Sequence, residues 1–99
     1  MNPDNVCAEY ADKRGMEKVA IQIFQDEDGG DWVLIEGEAP AIEFLGNILI
    51  AQAKFEKDCS FFFGPESAGN IFFTKNSTHG ICIHRLPCLE NKGRKLQKP

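Results

Sequence analysis

The stretch EAPAIEFLGNILIAQAKFEKD, from Glu38 to Asp58, is the one strong helix signal in the chain, and it sets the main constraint on the fold. A single helix can cover only one side of a sheet. Pro40 suits the first helical turn, where a missing N–H costs nothing. Glu38 favours the positive end of the helix dipole, and Lys54 and Lys57 favour the other end. Glu43, Asn47, Lys54 and Asp58 fall on one polar stripe, interrupted by Ile50. Ile42, Leu45, Leu49 and Ala53 line the opposite side, flanked by Ala41, Ile48 and Phe55, so the helix is amphipathic with a broad apolar face. Gly46 in its middle costs about 1 kcal/mol of helix propensity relative to Ala. Close approach of the helix to a sheet is the expected reason for it.

The rest of the chain reads as strands and loops. KVAIQIF, from Lys18 to Phe24, alternates and is rich in β-branched residues. QDEDGGD is a turn signal, and WVLIEG, from Trp32 to Gly37, is a second strand that should pair with the first as a hairpin. After the helix, CSFFFG (Cys59 to Gly64) reads as a third strand, IFFTKNS as a short fourth and THGICIHRLP as the last, stopped by Pro87. The order β-β-α-β-β predicts an α+β, two-layer fold: a four- to five-stranded, mostly antiparallel sheet with one helix across one face. Residues 1–17 read as a flexible lead, 18–88 as a single domain and 89–99 as a basic flexible tail.

The strands are apolar on both sides. Successive strand residues point to opposite faces, so the runs Trp32–Ile35, Phe61–Phe63 and Ile71–Phe73 supply apolar side chains to each. A half-solvated antiparallel sheet should be polar outside. An extended second apolar patch marks an interface, filled by another protein, by a homodimer partner or by the chain's own ends. The aromatic candidates are Trp32, Phe61, Phe62, Phe63, Phe72 and Phe73. Beside them Asp26, Glu27, Asp28 and Asp31 form an acidic hairpin tip suited to a basic partner.

Charge and motifs narrow the chemistry. The 99 residues carry a net charge of −4. Residues 1–88 hold 14 acids and 7 bases, a net of −7, and residues 89–99 hold one acid and four bases, a net of +3. An acidic body argues against specific nucleic-acid binding. No apolar run approaches the length of a membrane span. The N-terminus has no apolar signal-peptide centre, so a cytoplasmic protein is expected, and that argues against reading the four cysteines as disulfides. The acids at 26–38 do not follow a calcium-loop pattern, because Gly30 falls at position five and Asp31 at position six. THGICIHRLPC offers His79, Cys82, His84 and Cys88, all zinc-ligand types. On one strand, however, the two histidines fall on opposite faces and only Cys82 and His84 share one, so four ligands cannot converge. A Cys59 or Cys82 nucleophile lacks a placed base. No G-x-S-x-G or phosphate-cradling loop is present. No enzyme, metal or cofactor is expected.

Several short segments resemble family 32 of the bacterial immunity proteins encoded beside polymorphic toxins. They are IEGE (Ile35 to Glu38), FLGNIL (Phe44 to Leu49), SFFF, GN at Gly69 and Asn70, Ser77, and IHRL (Ile83 to Leu86), in an order that runs from about Trp32 to Leu86, about half of the chain. The histidine that this family often carries in the strand after the helix is replaced here by CSFFF, so any role tied to it does not carry over. The resemblance implies a small cytoplasmic protein that neutralises a cognate toxin by direct binding, without catalysis. The residues themselves leave a second reading: a homodimeric domain that binds a small apolar ligand or acts as a regulatory module.

Overall fold

The computed structural model describes residues 2–13, 16–67 and 69–88. Its elements are α1 (Pro3–Ala11), β1 (Ala20–Gln25), β2 (Asp31–Glu36), α2 (Ala39–Lys54), β3 (Ser60–Phe63), a 3-10 turn (Asn70–Phe72) and β4 (Ile81–His84). The class is α+β, as expected, but the single sheet is not formed. Two antiparallel two-stranded sheets take its place, β1–β2 and β3–β4.

The expected lead over residues 1–17 contains a helix. Asn2 caps α1, with its side chain accepting from the Asn5 N–H at 2.9 Å while its own N–H donates to Asn5 Oδ1 at 3.3 Å. Pro3 stands in the first turn. Reciprocal capping and proline at the helix start are local stabilisers. The decisive contact is tertiary: Val6 and Tyr10 are buried, and the Tyr10 ring stacks on Phe44 of α2 with centroids 4.1 Å apart. The Tyr10 hydroxyl donates to Glu17 O at 2.7 Å, which ties down the chain beyond the helix.

Docking of α1 turns α2 away from the expected orientation. Its buried line is Ala41, Phe44, Leu45, Ile48, Ala51 and Gln52. Ile42, Leu49 and Ile50 are exposed, and so is Ala53. At 3.6 residues per turn the core face is rotated by roughly a quarter turn from the sequence expectation. The cause is Phe44, which must reach Tyr10 on one side and Phe63 and Phe72 on the other. Gly46 has no neighbour within 4 Å of where its Cβ would stand, so close packing does not explain it.

The expected fourth strand fails at its first residues. Gly69 has a φ of 88°, a left-handed conformation that glycine adopts readily. It leads into the 3-10 turn, which brings Phe72 and then Phe73 inward around Phe63. A Cβ at Gly69 would lie 2.6 Å from the Phe63 ring. What remains of strand character is one parallel bridge, Val19 to Phe73.

That bridge begins a seam along β1. The Val19 N–H donates to Phe72 O and the Thr74 N–H to Val19 O, both at 2.9 Å. The Ile21 N–H donates to Ser77 Oγ at 2.8 Å, and the Thr78 and His79 N–H groups donate to Ile21 O at 3.0 Å. The Gln22 side chain adds a bond to Asn76 O, so the inner half of β1, through Gln22, is sewn to the body. Near the C-terminal end, Cys59 and Cys88 form a disulfide with Cα atoms 5.7 Å apart. It closes the β3–β4 hairpin and overturns the expectation of free thiols for these two residues. The tail expected over 89–99 lies outside the described residues. No helix among the described residues is long and apolar enough to cross a membrane.

Candidate functional site: the β1–β2 hairpin

The register of the hairpin is set by its turn. The Gly29 N–H donates to Asp26 O at 2.9 Å, and the Asp26 N–H donates to Gly30 O at 2.7 Å. Gly29 takes a φ of 94°, the left-handed position that longer hairpin turns place before the returning strand. Phe24 then stands opposite Trp32, Ile23 opposite Val33 and Ile21 opposite Ile35. Residues paired across an antiparallel ladder share a face. One face of the arm therefore carries Phe24 and Trp32, and the other carries Ile23, Val33 and Ile35.

Both faces are open. Phe24, Trp32 and Val33 are 47%, 54% and 60% exposed, and Ile23 and Ile35 are also exposed. Asp26, Glu27, Asp28 and Asp31 are exposed at the tip. From Val19 to Ala53 the sequence contains no Lys, Arg or His and seven acids: Asp26, Glu27, Asp28, Asp31, Glu36, Glu38 and Glu43. The arm is apolar on its flanks and negative at its end, a composition that attracts cations and buries apolar surface on contact.

The sequence candidates divide sharply. Asp26, Glu27, Asp28, Asp31 and Trp32 sit together on the arm. Phe62 is exposed on the outer face of β3–β4, away from that group in the ladder pairing. Phe63, Phe72 and Phe73 are buried in the core and are removed as interface residues. Phe61 packs against that core, half-buried. Phe61–Phe63 forms a two-faced strand, with Phe62 outward, but Ile71–Phe73 does not, because a 3-10 turn buries both Phe72 and Phe73. Phe24, Ile23, Val33 and Ile35 were missed as candidates. Their signal was the hairpin turn itself, which puts Phe24 across from Trp32.

The cysteine–histidine stretch closes the second sheet. Ser60 pairs with His84 and Phe62 with Cys82, so Cys82 and His84 do share the outer, exposed face. His79 Nδ1 lies 2.7 Å from Thr78 Oγ1, and His84 Nδ1 lies 2.6 Å from Ser60 Oγ. Cys88 is bonded to Cys59. No group of three or more His, Cys, Asp or Glu side chains that could hold a metal occurs among the described residues. The Ser60–His84 contact is a cross-strand polar pair on an open surface, with no enclosed site around it to exclude water. Burial raises the pKa of the Cys82 thiol. Burial, with a smaller effect from the Asp4 carboxylate, pushes Cys7 up to about 11. Both thiols are therefore protonated near neutral pH and are poor nucleophiles.

A cleft between α1 and α2, lined by Val6, Glu9, Tyr10, Lys13, Pro40, Glu43, Phe44 and Asn47, holds about 60 Å³. Small-molecule sites usually hold several hundred. A wider groove at the root of the hairpin, lined by Met16, Ala20, Glu36, Glu38, Thr74 and Asn76, holds about 610 Å³ but is open to solvent, with polar and apolar surface in equal share. Neither is an enclosed apolar pocket. Comparison with protein-family models, curated proteins and solved structures finds no match to this chain.

Proposed function

We propose that this protein is a non-catalytic binding module that holds another protein with its β1–β2 arm, and that the partner is basic. The carrying observation is the arm: five exposed apolar side chains on two faces, beyond the seam that anchors β1, ending in four exposed carboxylates. The apolar flanks supply affinity on burial, and the charged tip speeds encounter with a cationic surface. The resemblance of short segments to immunity proteins supports one class of partner, a cognate bacterial toxin with a basic surface such as a nuclease domain. Neutralisation would then be occlusion of the toxin by binding.

The test is co-expression with the product of the adjacent gene, followed by isolation of the complex. Phe24→Ala with Trp32→Ala should weaken it by about 30-fold or more, the scale of a central aromatic anchor. Lys57→Ala, away from the arm, should leave it intact. Failure of any complex to form, or a complex indifferent to Phe24 and Trp32, sinks the reading.

A further inference from the structure

The arm has an open edge as well as open faces, and its hydrogen bonds fix which backbone groups lie on it. Val19 and Ile21 turn their N–H and C=O groups to the seam, away from β2. In an antiparallel ladder these directions alternate residue by residue. Ala20, Gln22 and Phe24 therefore bond to β2, and their partners Glu36, Leu34 and Trp32 bond back. Asp31, Val33 and Ile35 are left with their N–H and C=O groups directed outward. No strand pairs with that edge among the described residues.

Exposed edges are normally blunted by Lys, by Pro, by a bulge or by a covering element. The strand Asp31–Glu36, DWVLIE, has neither Lys nor Pro. Val33 and Ile35, on the outward-bonding positions, are exposed β-branched residues. Acids stand only at its two ends. An unprotected edge of this kind templates another strand.

Charge decides which strand. A second copy in antiparallel pairing would lay the tip of one arm, with Asp26, Glu27, Asp28 and Asp31, along the root of the other, with Glu36 and Glu38. Like charges across a ladder are destabilising. We infer that β2 accepts an extended segment of another protein as a third strand of the β1–β2 sheet, with Lys or Arg at its ends and alternating apolar residues between. This rests on the binding reading above and specifies how the partner is held.

The probe is the capped peptide Lys-Lys-Thr-Val-Thr-Val-Thr-Lys-Lys, added to the full chain while amide exchange is followed by NMR. In the free protein the Val33 and Ile35 amides should exchange fast and those of Trp32 and Leu34 slowly. The peptide should slow Val33 and Ile35 by at least about tenfold. Its glutamate counterpart should not, nor should a version N-methylated along its pairing edge. Val33→Pro should abolish the effect while keeping the hairpin, since that N–H does not serve β1. If that variant unfolds, the N-methylated peptide still decides. Unchanged Val33 and Ile35 exchange at saturating peptide overturns the edge while leaving the dependence on Phe24 and Trp32 as a separate result. Protection of these amides in the free protein overturns it too. Protection that rises with protein concentration would assign the edge to a second copy, and protection independent of concentration would assign it to the chain itself.

Discussion

Ser77 is a small residue with a large structural task. Its hydroxyl accepts the Ile21 N–H at 2.8 Å and lies 3.2 Å from His79 O, which it can donate to, at a buried point of the seam. It stands in for a backbone partner where the chain from Thr74 to His79 is too irregular to run as a strand. Removing it leaves the Ile21 N–H buried without an acceptor. Ser77→Ala should lower unfolding free energy by about 1–3 kcal/mol, the desolvation cost of one orphaned donor. Urea titration would check this through a lower midpoint at constant slope. An unchanged midpoint would mean that water replaces the hydroxyl. The sequence showed Ser77 as the end of an expected strand and as one residue of the resemblance, with no sign of its bond to β1. Its partner is fifty-six positions away, and no local pattern encodes that distance.

Among the elements, α2 shows how far periodicity reaches. Its existence and its start near Pro40 follow from the sequence, but it ends at Lys54, short of the Asp58 to which the periodicity runs, because Phe55 is already extended. Its rotation does not, because apolar residues occur around more than half of its circumference. Ile42, Leu49 and Ile50 were as eligible for the core as Phe44 and Ile48. The choice between them fell to α1, whose Tyr10 ring needs Phe44. Gly46 follows from the same turn of the helix. With no atom within 4 Å of its absent Cβ, Gly46→Ala should stabilise the protein by about 0.5–1 kcal/mol through helix propensity and the unfolded chain's reduced freedom. Thermal melts of the two proteins would show it. A loss of stability would place a contact there after all. The helix α1 falls where the sequence predicts a flexible lead: Asn-Pro-Asp-Asn is a capping sequence, but the nine residues of polar-apolar mixture that follow Asn2 give no clear period.

On the scale of the whole molecule, two hairpins are held differently. The β3–β4 hairpin lies over the core through Phe61, Phe63, Ile81 and Ile83, and the Cys59–Cys88 bond closes its open end. Arg85 adds a clamp, donating to Phe55 O at 2.9 Å just past α2. The β1–β2 hairpin is anchored at its root and free at its tip. Reducing the disulfide releases a loop across a sequence separation of 29, which by the chain-entropy argument costs about 3–4 kcal/mol. Denaturation with and without a phosphine reductant should show a loss on that scale. A shift under about 1 kcal/mol would mean that the ladder and Arg85 already fix the ends. The step from an expected cytoplasmic setting to four free thiols fails for this pair, and Cys7 and Cys82 alone are free.

The sequence by itself determined the elements with strong local codes. The Gly-Gly turn between two apolar runs specified the first hairpin, and proline and charge placement specified α2. The two-residue period of Ile81–His84 was enough to put Cys82 and His84 on one face and to break the zinc pattern. Only the tertiary structure decided which apolar residues were buried. Phe62, Phe63 and Phe72 are chemically identical, yet one is exposed and two are core. The difference is made by where Gly69 turns the chain and where α1 docks, both of which depend on residues far apart in sequence. For the same reason the exposed apolar residues lie not on the face of a broad sheet but on both faces of the β1–β2 hairpin. Periodicity states which side chains share a side. Only packing states which sides are left over.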